Sequence, residues 1–276
     1  MEGFQQDSPQ VAGSQSQVTR RIGWLLLVYL LSWIPVIGRT NLPQTGAIVS
    51  VEALDLFHYI VTAAMLLVAR RSLREFRIDK LSLTFFVVFG AILRIPASPS
   101  ISRTEPTFWV FSLTAAVLVV AVFRSRSMRQ RWAQLSWSWV GLGLISSIGP
   151  ILLVAAVSTL VTGTPTVIAL AGPLSGPALF YVFVYWMGHA AVLEEPAFRG
   201  FLWGFLEQRH WSGVRIWLLQ AGLFWLGHLR YIENPLLFWV TVPAGGLFYG
   251  WLSWQSKSLA PSIVAHATYN SIAAFL

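Results

Sequence analysis

Residues 177–200 read PALFYVFVYWMGHAAVLEEPAFRG: an apolar run through Leu193, then two adjacent glutamates, a proline and an arginine. The run is long enough to lie in lipid, where an ionised side chain at a helix centre costs about 2.5–3.5 kcal/mol. The stretch is therefore either the core helix of a soluble domain or a membrane span carrying charges for a reason. Composition decides between them. Of the 276 residues, 55% are hydrophobic and 11% charged, and the mean hydropathy is +0.63; a soluble domain has fewer apolar and more charged residues. Further apolar runs lie near 22–37, 55–69, 81–95, 107–123, 139–161, 213–229, 235–254 and 259–276, several of them near the roughly 20 residues a helix needs to cross a bilayer. The reading is an all-α polytopic membrane protein of about eight transmembrane helices, with nine candidate segments.

The formal net charge of +8 would suggest nucleic acid only if it were spread over a soluble surface. With the N-terminus in the cytoplasm, fifteen of the nineteen Lys and Arg residues fall inside, leaving Arg39, Arg94, Arg103 and Arg230 outside. That asymmetry is the bias of cytoplasmic loops, so the charge reports topology and no nucleic-acid partner is expected. Residues 1–17 are polar and lack the order of a signal peptide, which predicts a short disordered cytoplasmic tail. The chain has no cysteine, which excludes disulfides, thiolate metal sites and a cysteine nucleophile.

Polarity is distributed unevenly along the chain. Before residue 135 the acidic residues, Asp55 among them, fall in tails, loops or span ends, whereas Glu194, Glu195, His228, His266 and Asn270 fall within or beside apolar helices. We therefore divide the chain into the tail, N-terminal transmembrane helices over 18–135, and a C-terminal domain over 136–276 that holds whatever chemistry the chain performs. Gly200 with Gly204, and Gly246 with Gly250, stand at the spacing that lets helices approach closely, which by itself points to packing.

Glu195 and Arg199 are four residues apart, hence on one helix face and able to pair. Glu194 points about 100° away and is the free carboxylate. Pro196 has no backbone donor and crowds the carbonyl of Val192, so it either kinks the helix or starts a new turn beside the glutamates. In FWLGH, 224–228, Phe224 shares a face with His228 and can wall one side of the imidazole; alone this is weak, because a lone histidine is more often structural. In HATYN, 266–270, His266 and Asn270 converge on one face, which suits either a site or an interhelical hydrogen bond. Glu194 and His228 each lie 17 residues from Trp211 at the centre of a polar turn, so an antiparallel hairpin brings them to one depth. His266 lies ten residues past Ser256 and reaches that depth only if the first hairpin projects further into the cytoplasm, by about 10 Å at 1.5 Å per residue.

In order, EEPAFRG, FWLGH and HATYN match the EExxxR, FxxxH and HxxxN motifs, and over roughly 177–276 the chain resembles the CPBP or Abi family of intramembrane proteases related to the CAAX prenyl endopeptidase. Three ordered motifs are far more specific than one. The resemblance implies that Glu194 and His228 activate a hydrolytic water, that His266 and Asn270 steady the oxyanion, and that Glu195, Arg199 and Phe224 support them. It also implies a peptide or lipid-modified protein substrate met in membrane lipid, with C-terminal segments of lipid-modified proteins, leader peptides and membrane peptides all qualifying.

Other intramembrane chemistries lack their residues. No His is followed by Glu, so there is no HExxH zinc helix; the aspartates are Asp7, Asp55 and Asp79 only, which leaves no aspartyl pair; Ser175 lies between prolines with no histidine nearby. The cofactor stays open between none and a divalent metal such as zinc, for which Glu194, His228 and His266 are the candidate ligands. Asn270 is a poor zinc ligand and a good oxyanion donor, which favours metal-free hydrolysis. The competing function is a non-catalytic membrane scaffold or immunity-type protein that uses the same residues to bind a peptide. A transporter reading is weaker, because no repeat appears.

Overall fold

The computed structural model describes residues 9–33, 51–92, 106–123, 137–163 and 176–274. Among them every element is helical and each of the nine apolar runs forms a helix. These are α1 (Pro9–Leu31), α2 (Val51–Val68), α3 (Lys80–Val87, continued by a π turn over Val88–Ile92), α4 (Pro106–Phe123) and α5 (Trp137–Ser146 with Ile148–Thr162). They are followed by α6 (Gly176–Glu207), α7 (Gly213–Gly227), α8 (Val242–Ser256, preceded by a π turn over Leu237–Thr241) and α9 (Ala260–Ala273).

Two helices, Trp137–Val161 with 25 residues and Gly176–Glu207 with 32, are long and apolar enough to cross a membrane by length and composition. They occupy different places. On α5 the side chains of Ile145, Leu160 and Val161 are at least 70% exposed, an apolar surface of the kind that lipid covers. On α6 every residue from Ala190 to Gly204 is buried. The helix that carries both glutamates is thus the axis of the bundle.

Small residues let other segments reach that axis. A Cβ on Gly204 would sit 2.5 Å from the Glu75 carbonyl oxygen, and Gly250 in the same way lets α8 close on Gln220 of α7 beside that axis. Leu259, just before α9, packs on Gly200, while α6 runs seven residues further to Glu207, about 10 Å at 1.5 Å per residue. The expected projection of the first hairpin is present.

Polar ties gather at that projecting end. Thr19 donates to Gln208, Gln208 Nε2 donates to Glu75 Oε2 at 3.0 Å, and Ser258 donates to Asp79. Asp79 also caps α3 by accepting from the Ser82 amide at 2.8 Å. Arg77, in the left-handed region at φ 58°, accepts the Leu259 amide on its carbonyl at 3.1 Å. Burial lowers the pKa of its guanidinium to about 10, with Glu207 at 3.6 Å acting the other way, and the group stands 3.9 Å from the Trp203 ring.

Two expectations change. Helix α1 starts at Pro9, so residues 9–17 of the expected disordered tail are helical, and 1–8 lie outside the described residues. Proline is preorganised for a first helical turn, and extending a helix from an anchored apolar segment is far cheaper than nucleating one. Asp55, placed at a span end, is buried in α2 and bonded at 2.5 Å to His189 of α6. The basic loop at 124–131 and Ser175 lie outside the described residues.

Candidate active site

Helix α6 does not stay α-helical around the glutamates. Met187–Ala191 and Pro196–Leu202 are π-helical, with the α turn Val192–Glu195 between them. Pro196 therefore neither ends nor breaks the helix: the widened turn absorbs its missing donor, and π turns of this kind recur at functional sites.

The two carboxylates have different surroundings. Glu195 is fully buried. Its Oε1 accepts from His266 Nδ1 at 2.9 Å and lies 3.2 Å from Arg199 Nη1, an ion pair by distance whose alignment falls short of a hydrogen bond. Arg199 in turn donates to the Gly246 carbonyl at 3.4 Å and lies 4.2 Å above the Phe224 ring. Glu194 points elsewhere. Its Oε2 is buried without a hydrogen-bond partner and stands 4.0 Å from His266 Nε2.

That oxygen belongs to a residue lining a cavity of about 100 Å³, whose wall also includes His228, His266, Asn270, Tyr249 and Arg230. Four helices contribute: α6 gives Glu194, the end of α7 gives Phe224 and His228, α8 gives Tyr249, and α9 gives His266 and Asn270. Glu195 and Arg199 stay behind the wall, which separates the two glutamates by position as well as by partner.

Hydrogen bonding determines which ring nitrogens face the cavity. His228 Nδ1 lies 2.7 Å from the Phe224 carbonyl oxygen; a carbonyl only accepts, so Nδ1 carries the proton and Nε2 presents a lone pair. The Phe224 ring lies 4.4 Å from the His228 ring and 5.9 Å, edge-on, from that of His266. Tyr249 stacks on His266 at 4.9 Å. His266 donates Nδ1–H to the ionised Glu195, so its Nε2 can donate to a ligand only when the ring is an imidazolium.

The site also recruits the first half of the chain, which its motifs do not announce. Trp33 of the α1 end packs between the rings of His58, at 5.1 Å, and His228, at 5.9 Å. Tyr29 donates to the Leu193 carbonyl at 3.2 Å, next to Glu194. The Asp55–His189 bond joins α2 to α6 one turn before the glutamates.

Glu194, His228 and His266 do not fit a metal centre: among the described residues no three His, Asp or Glu side chains are placed to hold an ion.

A buried carboxylate, two imidazoles and an amide around one small cavity in a helical bundle form a hydrolase-like constellation. Residues 175–272 match the family described as Rce1-like, type II CAAX prenyl endopeptidase Rce1-like, and over this segment the chain is similar to the CPBP/CAAX proteases. That family consists of integral membrane proteins. No curated protein and no solved structure matches the chain.

Proposed function

We propose that the protein is an intramembrane endopeptidase of about eight transmembrane helices with a cytoplasmic N-terminus, cleaving a membrane-associated or lipid-modified peptide. The observation that carries this reading is the unpartnered Oε2 of Glu194, buried beside a cavity that His228 also lines. Two acceptors, that oxygen and His228 Nε2, suit the two O–H bonds of one water. Held so, the water turns a lone pair towards the substrate carbonyl.

Glu194 takes one proton as the water oxygen bonds to the carbonyl carbon. The Asn270 amide donates to the developing oxyanion, joined by Nε2–H of His266 when that ring is cationic. The protonated Glu194 then gives its proton to the departing amine nitrogen as the C–N bond breaks, leaving a carboxylic acid and an amine. Glu195 and Arg199 hold His266 in place from behind.

Glu194→Gln tests the reading, because the amide keeps the shape but cannot accept the proton. The expected result is a folded protein with wild-type thermal stability and no turnover of a prenylated C-terminal peptide or a membrane peptide. Wild-type turnover by the purified variant would remove Glu194 from the mechanism.

A further inference from the structure

The basic side chains and the cavity occupy opposite ends of the bundle. The described residues hold twelve Lys and Arg. Eight of them, Arg70, Arg71, Arg74, Arg77, Lys80, Arg209, Arg215 and Lys257, lie at or beside the helix ends joined by the Gln208–Glu75, Arg77–Glu207 and Ser258–Asp79 contacts, and Arg20 and Arg21, within α1, follow the Thr19 that bonds Gln208. Arg199 is buried inside, and Arg230 alone stands at the cavity.

The cavity is built from the other ends of the same helices. His228 caps the C-terminus of α7, Leu237 starts the π turn before α8 and Asn270 lies in the last turn of α9, with Trp33, just past the last turn of α1, packed on His228. Along α7, thirteen residues separate Arg215 from His228, about 20 Å of helix. Arg230, in the turn between α7 and α8, lines the cavity and is exposed, as are Ile232, Glu233 and Asn234. The mouth therefore opens away from the basic end. Lys and Arg flanking spans stay on the cytoplasmic side, and the imbalance, ten to one among the described residues and fifteen to four over the whole sequence, orients the bundle.

We propose that the active-site cavity opens on the extracytoplasmic side of the membrane, so that its substrate is a translocated, membrane-anchored peptide presented from that side rather than the tail of a cytoplasmic protein. The word substrate rests on the endopeptidase reading above; the orientation does not. Glu194, His228 and Asn270 then meet a chain that has already crossed the bilayer, and the cytoplasmic end of the bundle serves for anchorage.

The absence of cysteine makes the test direct. Glu233→Cys, in the turn at the mouth, and Glu75→Cys, at the basic end, are exposed in turn to a membrane-impermeant maleimide on intact cells. Labelling of position 233 without permeabilisation, and of position 75 only after it, is expected. The reverse pattern, or equal labelling of both, overturns the proposal. In a Glu194→Gln strain, the membrane peptides that accumulate should be shaved by protease added to intact cells; accumulated peptides that resist shaving until lysis also overturn it. If no peptide accumulates while position 233 is labelled from outside, the endopeptidase reading fails and the orientation stands.

Discussion

Adjacent glutamates that differ by 100° around a helix meet different partners, and here that difference divides labour. Glu195 is bound to both Arg199 and His266, so Glu195→Gln leaves a buried arginine without its counter-charge. Breaking one partner of a buried ion pair typically costs about 3–5 kcal/mol; the expected outcome is a sharp fall in yield and melting temperature, read by thermal unfolding in detergent. Asn270 faces the cavity instead. If it donates to an oxyanion, Asn270→Ala folds, keeps nearly unchanged KM and turns over at least ~10-fold more slowly, below the usual 10²–10³-fold cost of such a donor. Normal turnover with a lower melting temperature would remove the oxyanion role. All of these residues were legible in the sequence, because a polar group inside an apolar helix is conspicuous. His189 carried the same signal within the opening stretch, yet its partner Asp55 lies 134 positions away, and no local spacing reveals such a pairing.

Helix α6 shows what a motif leaves out. The missing donor of Pro196 is visible in the sequence, but whether the helix kinks, restarts or widens depends on its packing, and here the answer is a π turn. The glycines were readable only as a capacity for close approach; the structure supplies the approaching groups. A Cβ on Gly204 would meet the Glu75 carbonyl at 2.5 Å and Phe76 Cδ1 at 2.6 Å. Backbone cannot swing aside, so Gly204→Ala should push the 73–76 turn off α6. The expected cost is about 1–3 kcal/mol, as for overpacking elsewhere, with turnover per folded molecule preserved because the contact is three helical turns from Glu194. A melting curve combined with active-site-normalised kinetics checks both halves of that statement.

Recognition through three motifs covers only the C-terminal third of the chain, yet α1 and α2 complete the site. Trp33 carries no polar signal and stands 195 positions before His228, so its role emerges only when the helices assemble. Trp33→Ala removes the ring beside His228, and core Trp→Ala changes typically cost about 3–5 kcal/mol. We expect lower stability together with slower turnover, both largely restored in Trp33→Phe, measured on the same preparations; turnover unaffected in Trp33→Ala would make the ring mere filling. The helical segments among the described residues were likewise legible from hydropathy, whereas their order around α6 was not, since an apolar face does not name its neighbour. The size of the cavity carries a last consequence. At about 100 Å³ it exceeds the roughly 10–15 Å³ that one water needs and holds no more than a handful. If the site hydrolyses a peptide, each cycle consumes one water, so the opening that admits the peptide is also the inlet for the reagent, and each product must clear it before the next water enters.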